Sequence, residues 1–515
     1  MKFIVLPDQR LMTNSVKKQL FLIHSEWDDY FQFATTYLLF YVTELGAIQS
    51  LGVLKIGEFK MGESQRSPMI PLQFDSLDDR FFSLGQDEDY YGVLATFGPS
   101  FRDEVLDALN DVARDLDLFE RALHEKVMGV SLLRDVSKAT VRGQLHRVSR
   151  GGARLSPYNF SYFGPPQLDR LSSQIVLSFA VLPNAEPPTN IHVLIGRNGV
   201  GKTFMLNSMT NALVAQNSGA VTYPSGSFSF NQNMLGSELF ANIVSVTFSA
   251  FDPFPPLPEA INRSSDLKYS YIGLKSIANA PNRQTGASKG PEELANEFAT
   301  SAKLCLSQPA RALRWRRSLL ALQSDTIFRG ANIAELSTSN SPEHWIEASQ
   351  IFARLSSGHK IVLLTMTRLV ETVEERTLVL LDEPEAHLHP PLLSAFIRSI
   401  SDLMIDRNGV ALIATHSPVV LQEVPRSCVW KVRRNGQTTT VERPEIETFG
   451  ENIGILTREI FGLEVTDSGF HNILRRSVDE ELTYEDAVNR FDGQLGEEAK
   501  AIVRTLMIQK NRGIS

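Results

Sequence analysis

The segment Ile191–Thr203, IHVLIGRNGVGKT, admits very few local folds. Ile191 to Ile195 is a short apolar run with the pattern of a buried strand. It leads into Gly196-Arg197-Asn198-Gly199-Val200-Gly201-Lys202-Thr203, a complete G-x-x-x-x-G-K-T. FMLNSMTNALVAQ follows, with Phe204, Leu206, Met209 and Leu213 recurring at helical spacing. Strand, glycine loop and helix in that order are the context of a phosphate loop. Gly196, Gly199 and Gly201 let backbone N–H groups turn inward around phosphate oxygens, and the helix N-terminus adds the positive end of its dipole. Lys202 brings a point charge to the β- and γ-phosphates, and Thr203 a hydroxyl ligand for Mg²⁺. The segment predicts an α/β core that binds a nucleoside triphosphate, ATP with Mg²⁺.

At 515 residues the chain has room for two to four domains around a large core. Its formal charge of −8 argues against a surface that coats nucleic acid, while leaving room for a local basic groove. Cys305 and Cys428 are the only cysteines and have no partners at metal-ligand spacing, which points to a reducing cytoplasm and no zinc. The opening MKFIVLPDQRLM lacks the apolar core and cleavage site of a signal peptide. Runs such as Tyr37–Val42 and Leu378–Leu381 are too short to span a bilayer, so no membrane partner is expected.

Residues 1–165 read as a separate α+β domain. Thr36–Thr43 and Leu51–Ile56, around Glu44-Leu45-Gly46, predict a β-hairpin. Trp27-Asp28-Asp29-Tyr30 just before it reads as a folded loop. Ser100 followed by Asp103 predicts a capping box, with Val105, Leu109, Val112 and Leu116 as one apolar helix face. From Arg134 to Arg154 six basic residues meet only Asp135, and Gly151-Gly152 marks a linker or hinge; a phosphate-backbone contact is the alternative. Residues 166–465 form the nucleotide domain, with strands at Ile175–Leu182 and Ile243–Ser249 and a mostly helical insertion at about 256–345. Within that insertion Arg311, Arg314, Arg316 and Arg317 surround Trp315, a pattern that serves either packing or nucleic-acid contact. A hairpin at Cys428–Arg434 and Thr438–Arg443 and a helical region at 466–515 complete the chain.

Three further motifs stand at the spacing of a nucleotide site. Thr377–Leu381 is a hydrophobic strand ending in Asp382-Glu383, a Walker B pattern: Asp382 orients Mg²⁺ through water and Glu383 polarises the attacking water. Val410–Thr415 is another buried strand, ending at His416, which reads as a γ-phosphate sensor or as a capping histidine. Leu355-Ser356-Ser357-Gly358-His359-Lys360 opens an apolar helix about twenty residues before Walker B. A hydroxyl from Ser356 and an N–H from Gly358 at a helix N-terminus can bind a γ-phosphate presented by a second subunit.

Taken in this order, the motifs resemble those of the ATP-binding-cassette ATPases, the class of chromosome-maintenance heads and transporter motors. GRNGVGKT looks like their loop, and LSSGHK like their signature. DEPEAHLHP (Asp382 to Pro390) and ATHSP (Ala414 to Pro418) resemble more closely the AAA-type, overcoming-lysogenization-defect-like ATPases of bacterial antiphage defence systems, similar to Septu and retron PtuA. The resemblance covers roughly residues 170–465. It implies a homodimer or higher oligomer that sandwiches ATP between subunits, with Glu383 and His416 catalytic and Ser356 and Gly358 completing the partner's site.

The sequence departs from that pattern in places. The glutamine expected after the strand ending near Ser249 is replaced by SAFDPF, leaving Asp252 as the nearest stand-in at the metal. Only about 175 residues separate the phosphate loop from Walker B, too few for a long coiled-coil arm. Nuclease members of the group carry a later Asp-x-Asp; none follows residue 416, so a separate effector, a nuclease, is expected as partner. The alternative function is a DNA repair or recombination ATPase that clamps DNA directly.

Overall fold

The computed structural model of the chain describes residues 1–12, 17–25, 32–62, 65–152, 155–166, 174–215, 225–230, 240–248, 256–257, 267–276, 288–338, 342–436, 438–462, 469–481 and 483–511. Trp27–Tyr30 and Asp252 lie outside them. The first unit is built on β1 (Lys2–Leu6), β2 (Gln19–His24), β3 (Thr36–Val42), β4 (Ile48–Glu58), β5 (Gln73–Phe74) and β6 (Phe81–Gly85), in the order β5-β1-β2-β3-β4-β6. β3 and β4 form the expected hairpin, turning through Gly46 at φ 81°. Alternation along β3 sends Tyr37, Leu39 and Tyr41 into the main core of this unit, and Leu38 and Phe40 to a smaller cluster on the other face.

α1 (Glu88–Thr96), α2 (Pro99–Ala108) and α3 (Leu116–Ala122) contribute to the main core. The expected capping box at Ser100 is not formed. The cap stands two residues earlier, at Gly98, so that α2 starts at Pro99 with no side-chain cap. Proline at the first helical position sets φ for the helix without needing a donor. The apolar face expected to continue through Leu116 is also interrupted. α2 ends at Ala108, Asn110 turns the chain at φ 52°, and Asp111 bridges to Ser83, yet Leu109 and Val112 still reach the core. The basic stretch is likewise part of the fold. Val141, Leu145 and Val148 join the same core, and Arg142 and Arg147 pair with Glu120 and Glu375.

The nucleotide part begins before residue 166. β7 (Tyr158–Phe163) pairs with β8 (Val176–Val181) and with β10 (Ser227–Phe230) in a small antiparallel sheet. The main sheet contains β9 (Ile191–Ile195), β11 (Asn242–Thr247), β12 (Lys268–Gly273), β13 (Thr377–Asp382), β14 (Val410–Thr415), β15 (Val429–Asn435) and β16 (Thr438–Glu442). Among the described residues its order is β12-β11-β13-β14-β9-β15-β16, parallel except for the β15–β16 hairpin at the edge. Ile191, Val193, Val379, Leu381 and Ile413 enter a core shared with α5 (Pro291–Leu306), α6 (Pro309–Leu322), α7 (Pro342–Arg354), α8 (Ser357–Thr372) and α9 (Pro390–Asp406). Leu194, Leu378, Leu380 and Leu412 enter a second core on the other face, shared with α4 (Lys202–Ala215) and the small sheet. Burial on both faces is why these strands read as continuous apolar runs.

Trp315 on α6 is fully buried and donates its indole N–H to Thr367 Oγ1 at 3.1 Å. Arg311 is buried beside Asp135 at 3.5 Å. Of the two readings of that stretch, these residues serve packing.

The first unit docks on the starts of β13 and β14. Glu374 Oε2 accepts from Ser137 N–H at 3.0 Å and from Thr140 Oγ1 at 2.8 Å, and Glu375 pairs with Arg147 at 2.6 Å. Arg407 forms an ion pair with Glu88, whose side chain is 1% exposed. Within the nucleotide part itself, the Tyr158 hydroxyl of β7 donates to the Asn408 carbonyl at 3.0 Å. At the other edge of the sheet, α10 (Ile453–Phe461) is tied to β15 by Lys431–Glu459 at 2.8 Å. α11 (Phe470–Glu480), α12 (Tyr484–Asn489) and α13 (Glu497–Asn511) follow around a small core of their own.

Candidate nucleotide site

Parallel strands bring their C-terminal ends to one edge, and the loops leaving β9, β13 and β14 meet there. Gly196 follows β9 where a Cβ would stand 2.3 Å from the carbonyl oxygen of Val432, so β15 can pack against the loop only because this residue is glycine. Gly199 and Gly201 have φ of 81° and 103°, a region that side chains disfavour. Arg197 and Asn198 are exposed and Val200 is buried. Lys202 opens α4, and its Nζ donates to the carbonyls of Gly196 and Arg197, both at 3.0 Å. Burial pushes the Lys202 pKa down, against the pull of Glu383, Glu385 and Asp382. Its Nζ lies 4.0 Å from Glu383 Oε1.

Thr203, in the first turn of α4, donates its hydroxyl to Asp382 Oδ2 at 2.8 Å. The next residue, Glu383, sits in the left-handed region at φ 45° and ψ 58°, its N–H held by the carbonyl of Ala414 at 2.9 Å. Such a conformation in a non-glycine residue costs about 1–3 kcal/mol and is stored where function needs it. Thr203 and Asp382 offer hard oxygen donors of the kind Mg²⁺ takes, and the expected Mg²⁺ fits this pair.

Sequence reasoning passed over Glu385. Its Oε1 accepts from Thr415 Oγ1 and from the backbone N–H of His416, both at 2.7 Å. His416 Nδ1 lies 3.0 Å from that carboxylate and 3.8 Å from Glu383. The third acid of DEPEAHLHP was the available signal, but its partners are thirty residues away.

Ser356 is exposed and caps α8 at its N-terminus, with Oγ 3.4 Å from the His359 N–H and 2.6 Å from His359 Nδ1. Gly358 is buried against the Walker B loop, where a Cβ would meet the His387 carbonyl at 2.4 Å. His359 Nε2 contacts Asp325 Oδ1 at 3.2 Å, and His389 Nε2 lies 3.5 Å from Asp325 Oδ2. The fold thus gathers Gly196–Thr203, Asp382, Glu383 and His416 in one place. Among the described residues, no hydrogen bond or ion pair joins Ser356 or Gly358 to the phosphate loop.

Residues 319–422, from the end of α6 past His416, match the family model described as "AAA domain, putative AbiEii toxin, Type IV TA system". With the phosphate loop and Walker acids in place, the chain has the mixed α/β fold of a P-loop ATPase. No helix among the described residues is long and apolar enough to cross a membrane. One solved structure it resembles is the ADP conformation of an ATP-binding cassette of an ABC transporter, at 15% identity over 61% of this chain and 100% of that one, with a TM-score of 0.31. Protein ea59 of Escherichia phage lambda is 39% identical over 96% of both chains. The chain belongs to the family of protein ea59.

Proposed function

We propose that this protein is an ABC-type ATPase that closes head-to-tail with a second copy around two ATP molecules. By closing, it switches a separate effector, a nuclease, in antiphage defence. The reading is carried by one observation: the loop, Thr203, Asp382 and Glu383 share one edge of the sheet, while Ser356 presents its hydroxyl at an exposed helix start elsewhere. A site divided in this way needs a second copy to complete it, and a head-to-tail pair forms two such sites.

Within one subunit Gly196–Gly201 wrap the phosphates with backbone N–H groups, and Lys202 turns from its carbonyl partners to the β- and γ-oxygens. Mg²⁺, when bound, neutralises phosphate charge. Glu383 takes a proton from the attacking water, and His416, steadied by Glu385, faces the γ-phosphate. Ser356 of the second copy closes over that phosphate, while the buried Gly358 holds α8 against the Walker B loop of its own subunit. The alternative, direct clamping of DNA, is less favoured because Trp315 and Arg311 are committed to packing.

Ser356→Arg places bulk and charge in the proposed interface. It should bind ATP normally but neither pair nor hydrolyse, and mixing it with Lys202→Ala should restore one composite site of two. Steady-state hydrolysis of the mixture tests this. Full activity of Ser356→Arg alone would reduce LSSGHK to a helix cap and overturn the sandwich.

A further inference from the structure

We infer that His359 and Asp325 decide which way the Ser356 hydroxyl points, so that the serine donates to a partner's ATP only when His359 carries a second proton. His359 is thereby a positioning residue acting through Ser356, and the inference rests on the sandwich reading above.

Asp325 ends the loop between α6 and the short helix Thr326–Gly330, and its side chain is 5% exposed. Oδ1 accepts the backbone N–H groups of Ile327 at 2.9 Å and Phe328 at 3.1 Å. Burial would push its pKa up, but these bonds and His359 hold it below the ordinary value. It is therefore a carboxylate, accepting on both oxygens. The imidazole nitrogen that faces it, His359 Nε2 at 3.2 Å, must carry hydrogen.

The tautomer then follows. In the neutral ring Nδ1 is bare, and the 2.6 Å contact is the Ser356 hydroxyl donating to Nδ1. The hydroxyl proton is spent on the ring, and the serine shows only lone pairs to an arriving phosphate. With a proton on Nδ1 the bond reverses: Nδ1–H donates to Oγ, and the hydroxyl turns its own proton outward. A phosphate oxygen accepts it through a charge-assisted bond. The ring proton comes from solvent, and the cation that results is paired with Asp325.

The other groups around the ring fit this role. Phe328 meets it edge-on, with ring centroids 4.8 Å apart, and keeps water from that face. His389, at the start of α9, has its ring centroid 6.3 Å away and shares Asp325 through the other oxygen. Lys360 is the next residue of α8 and is half-buried. His389 and Lys360 are the basic groups beside the ring, and Asp325 is the carboxylate that faces it.

By linkage, a complex that needs His359 protonated tightens as pH falls toward the point where the free ring takes its second proton. In a Glu383→Gln background, which stalls hydrolysis, the ATP-dependent pairing constant can be followed by sedimentation from about pH 6 to about pH 8.5, the window in which histidines titrate. Pairing should strengthen as pH falls, by up to about tenfold per site per pH unit. His359→Asn and His359→Gln should each flatten that dependence while ATP binding by the unpaired subunit is unchanged. Ser356→Ala should flatten it too, and adding His359→Asn to Ser356→Ala should cost nothing further, which a merely structural histidine would not give. His389→Gln should keep the dependence. Titration calorimetry in buffers of different ionisation enthalpy should find proton uptake on pairing that His359→Asn removes. A slope retained in His359→Asn, pairing that does not tighten at lower pH, or additive losses in the double variant would overturn the inference while leaving the sandwich standing. Failure of the Glu383→Gln protein to pair with ATP at any pH would remove both.

Discussion

The side chains at the nucleotide site differ in how local their reasons are. Lys202 and Thr203 stand within the eight residues of the phosphate-loop motif, so their type and spacing alone single them out. Asp382 and Glu383 needed a second clue, since a strand often ends in charge; the phosphate loop supplied it, and Thr203 meets Asp382 at 2.8 Å. Glu385 and Asp325 were illegible because their contacts, to His416 and His359, cross about thirty residues of sequence. The conformation of Glu383 gives the residue-scale prediction. A glutamine keeps the shape and the backbone bond to Ala414 but cannot take a proton. Glu383→Gln should therefore bind ATP as tightly as the parent and hydrolyse it about 10² to 10⁴ times more slowly. Near-normal turnover in a single-turnover assay would move the role of base to another residue, His416 first.

Among elements, the central strands were the most legible, because burial on both faces leaves an apolar run that nothing on the surface imitates. β9, β13 and β14 each fall within a residue of their expected limits. Helix starts in the first unit were less so: Ser100 has the right residue type for a cap, but Pro99 and Gly98 set the start ahead of it. α8 joins both lessons. Its start was legible in LSSGHK, whereas the reason for its glycine is tertiary, since Gly358 lets the helix sit directly under the His387 carbonyl. Gly358→Ala must push α8 away from the Walker B loop. Such overpacking typically costs about 1–3 kcal/mol, visible as a lower melting temperature. ATP binding should persist and hydrolysis should fall. A variant with unchanged melting and turnover would show that the approach of helix and loop is slack.

At the scale of the whole molecule, the first unit is held by polar groups taken out of water, which composition and spacing do not foretell. Glu88 and Arg407 are both nearly inaccessible. Removing one partner of such a pair leaves an uncompensated charge and costs about 3–5 kcal/mol, whereas replacing both with apolar groups of similar volume is often close to neutral. Arg407→Met should accordingly loosen the docking, seen as faster proteolysis between the units, and adding Glu88→Leu should recover most of the loss. Equal damage in the single and double variants would mean that the pair's charges are not what holds the interface. The order of strands in the large sheet carries a consequence of another kind, in time. β9 has β14 on one side and β15 on the other, and both are encoded more than two hundred residues after it. A ribosome adding about 5–20 residues per second needs roughly 12–48 s to supply them. Through that interval the emerging phosphate loop has no sheet to stand on, while the first unit, complete by then, is already free to fold. The newborn chain cannot brace its phosphate loop on both sides until Asn435 has been made.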